Sequence, residues 1–225
     1  MYGFEAELHV ENQLSFRTNE YGNVIRTGRV LHNWALMFAM NGIHGDPEKD
    51  HMENLKGAAI YCTPAVPLSA DFQFQTFHPF PEAPQLLRFP EEGKRQWEAG
   101  SVKTFQTEVT ILHYKEFVSV GSTFRFAVLS QNPLPGNVII TYGGKQTLQR
   151  VTLEPMDITS IRKGFKGLVR HPINPLDFAG QKIEMTDAFQ YQTPPSPLFE
   201  GNIVEPIDVT VLRKGPREYL VPPSW

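Results

Sequence analysis

The chain has 225 residues, 40% of them hydrophobic and 20% charged, with one cysteine and a formal net charge of −3. That length buries roughly 70% of the surface an unfolded chain exposes, so neither disulfides nor a metal is needed to hold a core, and the single thiol, Cys62, excludes an internal disulfide. The overall negative charge argues against a free-standing nucleic-acid binder, because affinity for a phosphate chain comes largely from Lys and Arg displacing counterions.

The opening residues Met1 to Glu5 hold neither a basic stretch nor a long apolar run, and no window approaches ~18 consecutive apolar residues. No export signal or membrane-spanning helix is expected, and a lone thiol fits a cytoplasmic protein. Phe4, Ala6, Leu8 and Val10 alternate with Glu5, Glu7 and His9, which predicts a first strand with one buried face. From Arg29 to Met40, Val30, Leu31, Trp34, Ala35, Met37 and Phe38 recur at helical spacing with Gly42 as a stop, which predicts a helix that buries Trp34. A cluster of His44, Asp46, Asp50 and His51 follows, read as an acidic loop rather than a metal site because no close histidine pairing accompanies it.

Gly57–Tyr61 and the alternating Phe72, Gln73, Phe74 and Gln75 predict two more strands, the first carrying on into Cys62. From Gln85 to Gly100 the chain is polar and broken by Pro90, Gly93 and Gly100, which predicts a projecting insertion around 85–103. Trp97 in such a loop can anchor a partner, stack on a base or fold back on its own chain. Alternating stretches at 104–114, 123–130, 137–142 and 148–153 make the second half nearly all β. Between 193 and 206 the prolines predict an extended strap with no regular ladder, followed by a short strand at 207–213.

No catalytic motif stands out. Gly143-Gly144-Lys145 lacks the rest of a phosphate-binding loop, and is either a hairpin turn with an exposed lysine or a place where backbone N–H groups meet a phosphate. Residues 141–170 carry six cations against Glu154 and Asp157, either a basic face or a solvated charged loop. Within them Arg162, Lys163, Gly164, Phe165, Lys166 and Gly167 combine charge, backbone freedom and an aromatic, a mixture suited to gripping a single strand.

Several strings together resemble the Cas-five-type subunit of type I-D CRISPR Cascade effector complexes, a member of the RAMP superfamily. They are Glu20-Tyr21-Gly22, Leu31-His32-Asn33-Trp34-Ala35-Leu36, Tyr61-Cys62-Thr63-Pro64-Ala65, Val128-Leu129-Ser130, Gly144-Lys145, Asn174-Pro175-Leu176-Asp177 and Pro197-Leu198-Phe199-Glu200-Gly201. The resemblance implies one β-rich α+β domain over 1–225, with a ferredoxin-like, RRM-like βαββαβ core, a β-hairpin thumb and loop insertions. It further implies a non-catalytic, cofactor-free subunit of a surveillance complex that binds the 5′ handle of the guide RNA beside a backbone subunit and a large subunit, near target DNA. The candidate RNA contacts are Arg26, Arg29, His32, Asn33, Gly143, Gly144, Lys145, Arg162, Lys163, Lys166, Arg170 and His171. Lys94 and Arg95 are the candidate DNA contacts and Trp97 the candidate subunit anchor. The competing expectation is a metal-independent endoribonuclease using His32, His171 and Lys145, since some relatives cleave RNA.

Overall fold

The alternating residues at the N-terminus form β1 (Tyr2–His9) in the computed structural model, which describes residues 1–16, 19–21, 24–46, 48–77, 113–143, 147–178, 180–192 and 197–223. Phe4, Ala6 and Leu8 enter the main core, and Glu5 and Glu7 leave on the other side. Two short strands, β2 (Asn19–Tyr21) and β3 (Val24–Arg26), precede the helix α1 (Asn33–Asn41). The helix starts four residues later than its apolar spacing predicts. Leu31 is held extended by backbone hydrogen bonds in both directions with Ala65 (2.9 and 3.0 Å), and His32 caps the helix, its Nδ1 accepting from the Trp34 amide (3.1 Å). Gly42 ends it in the left-handed conformation at φ +63°.

The acidic cluster after α1 is used locally. Asp50 caps α2 (His51–Asn54) by accepting from the Glu53 amide (2.7 Å), and Asp46 accepts from Glu48 N (3.0 Å). The His51 ring lies 5.6 Å from Trp34 and 5.8 Å from Phe38.

The remaining strands are β4 (Ile60–Cys62), β5 (Val66–Ser69), β6 (Phe72–Phe77), β7 (His113–Val118), β8 (Thr123–Ser130), β9 (Asn137–Tyr142), β10 (Thr147–Ile173), β11 (Met185–Gln192), β12 (Leu198–Lys214) and β13 (Arg217–Val221). The larger sheet runs β11-β12-β10-β1-β8-β4, with β13 on β12, β9 on β10 and β5 on β8. Every pairing in it is antiparallel. A second sheet, β2-β3-β7-β6, has one parallel pairing, β3 with β7. Its β6 and β7 pair from Phe72 with Val118 to Phe77 with His113, so they bracket residues 78–112. The projecting insertion expected around 85–103, and most of the strand expected at 104–114, lie outside the described residues.

Two expectations fail here. The chain from Leu198 onward is not a strap: Leu198–Lys214 is one strand paired with β10, β11 and β13. Pro206 is tolerated because it falls at a register shift, between Gly167 opposite Ile203 and Phe165 opposite Ile207, where a missing donor costs no ladder bond. The strand expected at 148–153 extends to Ile173. Its inner half pairs with β1 and β9, and its outer half with β12.

The main core gathers β1, β8, β4 and α1 around Leu8, Leu36, Met37, Phe124 and Phe126. A second cluster of Val169, Ile173, Ile203, Ile207, Val209 and Val211 lies between β10 and β12. Gly143 closes the β9 turn at φ +90°, and a Cβ there would meet Leu14 Cδ1 at 2.5 Å and the Ser15 carbonyl at 3.1 Å. Gly143→Ala should therefore lower stability by about 1–3 kcal/mol. A drop of several degrees in the melting midpoint is expected, and an unchanged melt would show that Leu14 can move aside.

Candidate nucleic-acid interface

Cations near the middle of this fold are matched by carboxylates from distant strands. Arg217 grips Glu5 through two bonds, Nε to Oε1 (2.7 Å) and Nη2 to Oε2 (2.8 Å), while Lys214 lies 3.4 Å from the same carboxylate and also pairs with Glu154. Arg125 reaches Glu7 (3.1 Å), Arg150 reaches Glu11 (2.8 Å), and Arg213 pairs with Glu218. Burial pushes the Glu5 carboxyl up, but Arg217, Lys214 and Arg125 together hold it below the usual carboxylate range.

Arg162, Lys163, Lys166 and Arg170 on β10 differ from these. All four are exposed, and none forms an ion pair with another described residue. Their glycines do what the sequence pattern predicts. Gly164 and Gly167 take φ +62° and +139°, and the ladder to β12 shifts register on either side of Phe165. The Gly164 amide donates to Asp208 Oδ1 (2.9 Å), and the Arg162 guanidinium lies 5.7 Å from the centre of the Phe165 ring. The result is a run of unneutralised positive charge on a strand whose alternate residues, Val169, His171 and Ile173, are buried.

The other candidate contacts are dispersed. Arg26 and Arg29 belong to the second sheet and its edge: Arg26 lies over Phe74 at 5.9 Å, and Arg29 lies over Phe72 at 3.8 Å while donating to the buried Glu116 at 2.8 Å. Gly144, Lys145, Lys94, Arg95 and Trp97 lie outside the described residues. His171 does not face outward with its neighbour Arg170. It is buried, its Nε2 accepts from the Leu220 amide (2.8 Å) and its Nδ1 is 3.0 Å from the Pro172 carbonyl, so both nitrogens are occupied inside the chain. Burial pushes its pKa down to about 4, leaving a neutral ring at physiological pH.

Asn33 is likewise buried, as part of a polar knot that sequence reasoning did not foresee. Asp177, in the short 3-10 helix Pro175–Asp177, accepts from Asn33 Nδ2 (2.6 Å), Trp34 Nε1 (2.7 Å) and Tyr61 OH (2.8 Å). Asn174 Nδ2 donates in turn to Asn33 Oδ1 (3.3 Å). Burial pushes the Asp177 carboxyl up to about 6, against the three hydrogen bonds that pull it down. Three of the strings that carried the resemblance, around Asn33-Trp34, Tyr61 and Asn174 to Asp177, thus meet in one buried node. It ties the start of α1 and β4 to the turn that follows β10.

The sequence profile described as type I-D CRISPR-associated protein Cas5/Csc1 matches residues 1–218. The chain belongs to that family. No curated protein matches it. Among solved structures, it is similar to a chain of the type III-B Cmr-beta complex bound to cognate target RNA and AMPPnP, in state 1. That similarity has a TM-score of 0.43 at 10% identity and covers 92% of this chain and 86% of the other. A chain of the Cmr-beta complex bound to cognate target RNA gives a TM-score of 0.41 at 10% identity over 91% and 86%.

Sequence reasoning also missed β11. The alternation of Phe189 and Tyr191 with Gln190 and Gln192 was the available signal, the same one that marks β6. No helix among the described residues is long and apolar enough to cross a membrane.

Proposed function

We propose that this chain is a non-catalytic subunit of a type I-D CRISPR effector complex and holds the 5′ handle of the guide RNA along the outer half of β10. The observation that carries the reading is the set of four exposed cations, Arg162, Lys163, Lys166 and Arg170, without carboxylate partners among the described residues. They are suited to phosphates first and base edges second. With a net charge of −3 over the whole chain opposing long-range attraction, neighbouring backbone and large subunits complete the groove. Lys94, Arg95 and Trp97 remain assigned to target DNA and to subunit contact.

The family membership supports this reading. A ferredoxin-like core is supported by the sheet order β10-β1-β8-β4 with α1 between β1 and β4, although a strand, β9, occupies the described part of the β8 to β10 connection. A single domain is supported by β10 and β12, which contribute to both core clusters. The endoribonuclease alternative is weakened by His171, whose two nitrogens are bonded within the chain.

The test is Arg162→Ala/Lys163→Ala/Lys166→Ala in the reconstituted complex. Guide occupancy should fall at least severalfold while the isolated variant melts as the parent does, because all three side chains are exposed. Normal occupancy would refute the assignment, and specific cleavage of repeat RNA by the purified parent would refute the non-catalytic reading.

A further inference from the structure

The cations of β10 flank an exposed leucine on a mixed polar and apolar face of the sheet. Leu168, 57% exposed, leaves β10 on the side opposite Val169, with Lys166 and Arg170 exposed on either side of it in sequence. Register then carries this face across the sheet, since antiparallel partners present their side chains to the same side. Leu168 is opposite Asn202 on β12, and Asn202 is opposite Thr186 on β11. Glu200, two residues from Asn202, is opposite Phe189. A bulge at Asp187, which takes φ +50°, allows Thr186 and Phe189 to share the face although they lie three positions apart.

Phe189 is 63% exposed, beside the bulge in β11. Its ring stands 4.8 Å from that of Tyr191 at 72°, and the Tyr191 hydroxyl donates to Glu200 Oε2 (2.6 Å). Tyr191 is thereby pinned and buttresses Phe189, most of whose surface is exposed. Glu200 disfavours a phosphate near β11; Asp187 is also exposed on that strand, and Glu205 is exposed on β12 in the stretch opposite Lys166, between Ile203 and Ile207. The cations are two strands away, ~10 Å across the sheet. One nucleotide spans that separation from its phosphate to its base.

We propose that Phe189 is a base-stacking residue, and that the outer face of β10-β12-β11 binds single-stranded RNA with phosphates over Lys166 and Arg170 and a base on Phe189. This deepens the guide-binding reading and rests on it. Aromatic stacking is tolerant of sequence and is worth roughly tenfold in affinity per base, whereas phosphate contacts set the salt dependence. The arrangement favours nucleic acid over a protein partner, because exposed cations with no ion-pair partner among the described residues line the β10 side of the face and an exposed aromatic stands on its β11 side.

The experiment uses the full chain and a single-stranded RNA oligonucleotide containing 5-iodouridine. Photocrosslinking should map to Phe189, and Phe189→Ala should weaken binding roughly tenfold with an unchanged salt slope. Phe189→Trp should restore the affinity, and Lys166→Ala/Arg170→Ala should flatten the salt slope. If Phe189→Ala binds RNA as the parent does while the charge variant is weakened, stacking is overturned and the guide-binding reading stands. If neither variant changes RNA binding, both fall. If Phe189→Ala keeps its RNA affinity but no longer joins the neighbouring subunits, the face is a protein contact and the stacking assignment is overturned.

Discussion

Asp177→Ala should melt roughly 10 °C below the parent. The substitution leaves Asn33 Nδ2, Trp34 Nε1 and Tyr61 OH without their acceptor in a site that is closed to solvent. Each buried donor deprived of its partner costs about 1–3 kcal/mol, and because the three share one site their sum is incomplete, so a total of about 3–5 kcal/mol is expected. At this chain length each kcal/mol moves the midpoint by about 2–4 °C. Asp177→Asn should fall between the two. Its amide oxygen can serve Asn33 and Tyr61 together, as Oδ2 does now, but its NH2 then faces the indole N–H of Trp34. The node also sets where β10 leaves the core, so the Ala variant should retain less guide RNA in the complex even at temperatures where it stays folded. A melt identical to that of the parent would mean that the three donors find other acceptors, and the node would not be what anchors α1 to the turn after β10.

Between about pH 4.5 and pH 6 the stability of the parent should be nearly flat, because two buried groups oppose each other. His171 has a folded pKa of about 4 against an ordinary 6.5, so its contribution is fully present above 6.5 and is lost as pH falls through about 4. Asp177 has a folded pKa of about 6 against an ordinary 3.8, so its contribution is fully present below 3.8 and is lost as pH rises through about 6. Each amounts to about 3 kcal/mol over its whole range, with a slope of about 1.4 kcal/mol per pH unit and opposite sign. The Glu5 carboxyl, held below its ordinary 4.5, destabilises the fold only as pH drops further. Asp177→Asn should unmask His171 and lose stability steadily from pH 6 down to 4.5. His171→Gln, which can still offer an oxygen to the Leu220 amide, should do the reverse and gain stability over the same range. Denaturant melts of the three proteins across this window decide the matter, and parallel pH profiles would rule out either group as the cause.

The local patterns were legible wherever one face of a strand is buried throughout. Period-two alternation located β8 at 123–130 and β9 at 137–142 with the boundaries observed, and Gly42 marked the end of α1. The basic run on β10 was legible as composition, and so was its need for glycine, since positive φ belongs to the residue itself. Long-range pairing decided the rest. Bulges at Gly164 and Gly167 reset the alternation of β10, so no single period runs through its 27 residues, and only the ladder to β12 reveals one strand. The same ladder absorbs Pro206 at a register shift, which no reading of the proline-rich segment alone could supply.

Which polar residues would be free was equally a tertiary matter. Arg217 and Arg162 are both arginines in exposed-looking stretches, but Arg217 finds Glu5 across 212 positions of sequence, and Arg162 finds no carboxylate among the described residues. His171 is flanked by Arg170 and reads as part of the basic face, yet strand alternation turns it inward to the Leu220 amide. Composition determined that positive charge would concentrate between residues 141 and 170. Which of those charges stays available for RNA depended on partners brought close only by folding, because an ion pair or a buried hydrogen bond is settled by distance in space and carries no period along the chain.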